Sequence, residues 1–288
     1  MPKFGTSIYS VVKALNNKTL TPEDAVRWLC ENGSEVIEIV PFGGINLVSD
    51  STMADRLRAA ADEFGVKIDN YSDGASFLGK TSEETKAEME RVKTIIKAAS
   101  QLGISTCRFD VVAGRTPEQL VIEEFLKDLP VIVQAYTELS EFAKNYGIKM
   151  MNENHGFHLN GAERVRLVMQ NVDSDNFGHQ LDVGNYICVD DTPEIVVKQM
   201  MPFATTVHMK DFYVRRNNPG AGWFRSRGGQ YLRGSIVGQG DLDMTHIVRD
   251  IKTYGFDGNI YVEFEGAEDP LHGAKTSMEN VKRLWEAV

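Results

Sequence analysis

Four residues of metal-ligand type stand at the ends of four successive apolar runs in the second half of the chain. Glu153 closes the run that opens the stretch MNENHGFHLNG, Asp182 closes HQLD, His208 closes TVH and Glu263 closes NIYVE. Their separations are 29, 26 and 55 residues, too long for a local motif; each suits one repeating structural unit, the last enlarged by an insertion. Three carboxylates and one imidazole around a ring would form a hard-to-borderline oxygen and nitrogen site. Such a set favours Mn²⁺, accommodates Mg²⁺, Co²⁺ or Zn²⁺, and does not suit copper(I) or iron–sulfur chemistry. Four protein ligands on an ion that prefers about six leave roughly two positions, which two adjacent sugar oxygens would fill.

The chemistry open to such a site is proton transfer at carbon. Isomerising or epimerising a keto sugar removes a weakly acidic proton, and a cation on the adjacent oxygens stabilises the resulting enediolate. A base is then needed on each face, and Glu153 and Glu263 are the candidate pair. Coordination lowers a carboxylate's basicity, so either each binds through one oxygen and works with the other, or His155 or Lys210 serves instead. Glu265 competes with Glu263 for the fourth ligand position, but Glu263 lies deeper in the apolar run. Single-residue alternatives exist: Asp182 would suit an Asx turn before Gly184, and His208 a satisfied core histidine. Their recurrence on successive runs favours a metal.

Other residues have the right parity to face the same space. His155 shares the parity of Glu153, as Lys210 shares that of His208; each is a candidate substrate contact or, equally, an ordinary loop or surface residue. Arg108, Asp110 and Glu38 should point inward. Since an ionised group in the interior needs a partner, Arg108 and Asp110 either satisfy each other or line the pocket. His158 reads as structural, and His179 and His272 carry no functional signal.

The elements that would position these groups are legible from their punctuation. Glycine follows an amphipathic segment at Gly33, Gly65, Gly103, Gly147 and Gly255, as suits the left-handed residue after a helix. Thr21-Pro22 and the Thr81/Glu84 capping box mark helix starts, and Met89, Val92, Ile96, Ala99 and Leu102 recur at helical spacing. Strands are expected over 5–8, 35–40, 66–71, 106–111, 148–153, 178–182, 205–208 and 259–263. Strands alternating with helices imply right-handed crossovers and a parallel sheet, and eight units in under 300 residues fit a closed (β/α)₈ TIM barrel. An open doubly wound sheet fits less well, because no GxGxxG turn follows the first strand. With no linker or composition shift, residues 1–288 read as one domain.

Composition excludes other classes. At 42% hydrophobic and a net charge of −10, the chain reads as an ordinary globular protein acting on a small molecule; such a balance disfavours binding to a phosphate backbone or an anionic membrane. No stretch approaches membrane-spanning length, and Cys30, Cys107 and Cys188 form no CxxC pair, so a reducing cytoplasm is expected. The segment 213–240 is unusual: it carries Arg215, Arg216, Arg225, Arg227 and Arg233 with Trp223, Phe224 and Tyr231, and no acidic residue. It reads as a lid, a clamp for an anionic or aromatic substrate, a contact with a second copy or a partner subunit, or a flexible solvated loop. The glycines of GSIVGQGD are expected to shape the turn into a helix capped by Asp241.

In order and spacing, ENHG, LDVGN, VHMKD, VGQGDLD and VEFEG resemble the sugar phosphate isomerase/epimerase superfamily with its xylose isomerase-like barrel. The resemblance implies a divalent metal on Glu153, Asp182, His208 and Glu263, a carbohydrate substrate, and proton transfer next to a carbonyl. The best-studied epimerases have a histidine three residues after the Asp ligand; Asn185 stands there in this chain, so that substrate contact does not carry over directly. Isomerase or epimerase is the leading expectation. The alternatives are a lyase eliminating a β-substituent from a 3-keto-glycoside, a Schiff-base aldolase using Lys210, a metal-site endonuclease, and a non-catalytic sugar-binding subunit.

Overall fold

The apolar runs assemble in the order in which they occur. The computed structural model describes residues 1–112 and 115–288. Its first seven strands are β1 (Phe4–Ser7), β2 (Val36–Ile39), β3 (Lys67–Gly74), β4 (Thr106–Asp110), β5 (Lys149–Glu153), β6 (Phe177–Asp182) and β7 (Ala204–Met209). There follow β8 (Asp211–Arg215), β9 (Phe224–Arg225) and β10 (Tyr231–Ser235), which form a separate three-stranded sheet, and then β11 (Asn259–Val262). β11 pairs in parallel with both β7 and β1, which closes an eight-stranded barrel in the order β1-β11-β7-β6-β5-β4-β3-β2.

Around it run α1 (Val12–Asn16), α2 (Pro22–Glu31), α3 (Met53–Asp62), α4 (Ser82–Ala99), α5 (Ile122–Lys144), α6 (Ala162–Asn171), α7 (Pro193–Met200), α8 (Met244–Tyr254) and α9 (Pro270–Ala287). The expected signals operate. Thr21 caps α2 ahead of Pro22, the Thr81/Glu84 box opens α4, and Gly103 and Gly255 take φ of +78° after their helices. None of the described helices is long and apolar enough to cross a membrane.

Two expectations are corrected. Helix α8 is capped by Asp243, whose Oδ1 accepts from the His246 N–H at 2.9 Å, not by Asp241. Asp241 instead accepts from the Val214 N–H and the Arg215 guanidinium, at 2.6 Å each. Nor is the inserted segment a flexible solvated loop. Strand β10 pairs antiparallel with both β8 and β9, and alternation sends Phe212 and Leu232 inward against Cys188. The opposite face carries Arg215 and Arg233 over the rings of Tyr213 and Trp223, and Arg225 over Tyr231. Asp190 after β6 fastens the tip, accepting from the Ser226 hydroxyl at 2.6 Å, and the Arg227 N–H donates to Cys188 O at 2.8 Å. Burying one apolar face against the barrel orders what the arginine-rich sequence alone suggests is solvated.

The barrel interior beneath the C-terminal mouth is polar. Asn70 donates to Gln180 Oε1 at 2.7 Å and accepts from the Thr106 hydroxyl at 2.9 Å. On the opposite face of the sheet, toward the helices, His179 and Asn152, from adjacent strands, are fully buried and meet at 3.0 Å. Burial pushes the His179 imidazole down to about 3. An unfolded histidine titrates near 6.5, so below that pH the unfolded chain takes up a proton that the fold refuses. This contribution is full above about pH 6.5 and is lost toward pH 3, at up to about 1.4 kcal/mol per unit. Accordingly, His179→Leu should flatten the fall of the urea midpoint between pH 7.5 and 5; an unchanged slope would show that another group controls it.

Candidate metal centre

The C-terminal ends of β5, β6 and β7, with the residue that follows β11, converge on one point. One atom each from Glu153, Asp182, His208 and Glu263 lies within 4.8 Å of the others, and all four residues are buried. His208 Nδ1 is 3.6 Å from Glu153 Oε1 and 3.7 Å from Glu263 Oε2. β5 and β11 are three places apart around the ring, so Glu153 and Glu263 approach His208 from different sides.

The donor set fits a divalent cation on two observations. His208 Nδ1 and Asp182 Oδ2 are buried without a hydrogen-bond partner, a costly condition unless something else meets them. Each residue's other atom is committed. Asp182 Oδ1 accepts from the Gly184 and Asn185 N–H groups at 2.8 Å each, so the Asx turn and the ligand role are compatible. His208 Nε2 faces Glu38 Oε2 at 3.0 Å. With a proton held on Nε2 by this carboxylate, Nδ1 faces the cluster as the nitrogen that would exchange its proton for a metal, the usual outer-shell arrangement for a metal-binding imidazole.

Glu38 is fully buried, and its Oε2 also accepts from Asn70 at 2.5 Å and Ser72 at 2.9 Å. Burial alone would raise its pKa, but the adjacent His208 imidazole holds it below the ordinary carboxylate value. Its only sequence signal is one charge inside the apolar run VIEIV, which gives its inward parity and not its partner. Glu38→Gln should weaken metal affinity about 10- to 100-fold, as read by calorimetry; equal affinity would remove Glu38 from this role.

A model of the xylose isomerase-like TIM barrel matches residues 26–284. The chain belongs to that family. No curated protein sequence matches it significantly. Among solved structures, a D-tagatose 3-epimerase-like protein is 22% identical, with a TM-score of 0.73 and coverage of 99% of this chain and 98% of that one. A xylose isomerase-like TIM barrel protein from Mycobacterium smegmatis, in complex with magnesium, is 16% identical, with a TM-score of 0.74 and coverage of 100% and 97%. The apo 3-keto-D-glucoside 4-epimerase from E. coli is 15% identical, with a TM-score of 0.71 and coverage of 98% and 100%. Identities this low establish a shared fold.

In this xylose isomerase-like barrel the remaining predicted residues form two wings beside the cluster. On one, Arg108 pairs with Glu153 Oε2 at 2.9 Å and Asp110 at 3.2 Å, and Asp110 holds His155 Nδ1 at 2.7 Å. The two anticipated uses of Arg108 are thus combined: it satisfies Asp110 and also reaches the cluster. Its guanidinium and then His155 hold the buried Asp110 at about 2, whereas burial pushes Glu153 up to about 7 despite Arg108 and His208. Asp110 chiefly raises the pKa of His155, whose side chain is half-exposed at the mouth.

On the other wing Lys210 pairs with Glu263, lies 3.0 Å from Glu265 and 3.5 Å from Asp182, and donates to Asn185 Oδ1 at 3.3 Å. Lys210 is therefore buried and not a surface lysine. Burial would depress its pKa, but Glu263, Glu265 and Asp182 hold it well above the ordinary value. His158 is structural as expected, its Nε2 2.8 Å from Asp128. A cavity of about 510 Å³ between α4 and α5, lined by Lys86, Met89 and Gln134, contains none of the four converging residues.

Proposed function

We propose that this protein is a divalent-metal-dependent isomerase or epimerase of a keto sugar or sugar derivative, with Mn²⁺ the favoured ion. The observation that carries this reading is the buried convergence of Glu153, Asp182, His208 and Glu263, with His208 Nδ1 and Asp182 Oδ2 lacking a hydrogen-bond partner among the described residues. These four residues would hold the ion. When bound, it supplies positive charge that stabilises the oxygens of an enediolate.

The protein's own groups then divide the proton transfer. The two oxygens of Glu153 have different surroundings, Oε1 toward His208 and Oε2 toward Arg108, so one can face the ion while the other takes the substrate proton. Burial raises its basicity and so opposes the lowering that coordination brings, which suits a general base. Glu263 is held well below the ordinary value by Lys210 and then His208, against the effect of burial; it returns the proton most readily through the adjoining Lys210 ammonium. Asn185 Nδ2, buried without a partner, is available to a sugar hydroxyl, and Arg108 orients Glu153. The same high Lys210 pKa disfavours a Schiff-base aldolase, whose nucleophilic lysine needs a depressed one.

A lyase reading shares the first step. Half-exposed His155, held by Asp110, is placed at the mouth to protonate a departing substituent. Elemental analysis followed by a solvent-deuterium exchange screen over ketoses and keto-glycosides tests the proposal. Metal-dependent incorporation at carbon is expected; exchange that resists EDTA would refute it, and aglycone release would select the lyase.

A further inference from the structure

A second compartment adjoins the metal cluster. About 240 Å³ in volume, it lies where the ends of β1 and β11 meet the inserted sheet, lined by Tyr9, Phe212, Phe224 and Phe264, with Glu265 among its few polar groups. Glu265 is also its link to the cluster, since Glu265 Oε2 is 3.0 Å from Lys210 Nζ and the same ammonium pairs with Glu263.

Two of the four rings come from the inserted sheet. Phe212 on β8 and Phe224 on β9 meet edge to face, 6.0 Å between centroids, and Phe224 is 42% exposed. A large ring standing open on the wall of a cavity beside a polar cluster is the usual composition of a small-molecule subsite. The walls also say what it does not take. Lys13 Nζ donates to Gly266 O at 2.6 Å, and Lys210 is shared among carboxylates. A phosphate entering here would meet a single lining ammonium, Lys13, set against the Glu265 carboxylate and four aromatic rings.

We propose that this compartment receives an aromatic ring linked to the sugar that reacts at the cluster, so that the substrate is an aryl glycoside derivative and not a sugar phosphate. This rests on the function proposed above, which places a sugar at the cluster. It also narrows the chemistry. A glycosidic link locks the anomeric carbon, so aldose–ketose interconversion through an open chain is closed, and the labile proton must lie beside a ketone elsewhere on the ring.

The test is calorimetric or ligand-observed NMR titration of the Mn²⁺-loaded protein with phenol, phenyl β-D-glucopyranoside and cellobiose. Phenol should bind saturably with a Kd on the order of millimolar, as befits so small a ligand. Phe224→Ala should weaken it about tenfold, the scale of one lost aromatic contact. Glu153→Gln should leave phenol binding unchanged, so loss of solvent exchange in that variant with phenol binding intact separates this compartment from the proton-transfer chemistry. The proposal is overturned if phenol shows no saturable binding, if its Kd in both Phe224→Ala and Phe212→Leu equals that of the natural protein, or if cellobiose binds more tightly than the phenyl glucoside.

Discussion

Glu153→Gln is expected to lower turnover by about 10²-fold or more, the scale of a positioned acid–base group. The substitution keeps the shape of the side chain and leaves one oxygen, which can still face His208 and the ion. What it removes is the proton acceptor whose basicity burial raises. It also sets an amide next to the Arg108 guanidinium in place of the carboxylate oxygen now 2.9 Å away. Sugar binding should survive with the ion supplied in excess of its weakened affinity, while exchange of the substrate's carbon-bound hydrogen with solvent should fall in step with turnover. Near-normal exchange would remove Glu153 as the base and pass the role to Glu263, His155 or Lys210.

The second large effect concerns the ion itself. Glu38, Asp110, Glu153, Asp182, Glu263 and Glu265 crowd one barrel mouth, with Arg108 and Lys210 as the permanently charged cations among them. Carboxylates gathered out of water demand compensation. A divalent ion binding only the folded state at about 100 times its Kd should therefore stabilise the protein by about 2.7 kcal/mol. A rise of the thermal midpoint with Mn²⁺, reversed by EDTA, is expected in the natural protein and absent in Asp182→Ala. Equal shifts in both would mean that the ion binds elsewhere and would dissolve the assigned centre.

The sequence by itself determined the barrel and the ring of ligand-type residues, because both follow from local rules repeated at regular intervals. Caps and glycines delimit the helices, alternation sets strand parity, and in a parallel barrel every strand end falls at the same rim. That is why Glu153, Asp182, His208 and Glu263 could be named before their distances were known. What only the tertiary structure decided are contacts between residues remote in the chain. Glu38 meets His208 across 170 residues, a pairing that parity permits but does not specify. The insertion shows the same limit: its arginines suggest a solvated loop, whereas its alternating Phe212, Val214 and Leu232 acquire meaning only once Cys188 and Phe157 supply a surface to cover. Burial against a distant partner is a property of the folded chain, and no local pattern encodes which partner it will be.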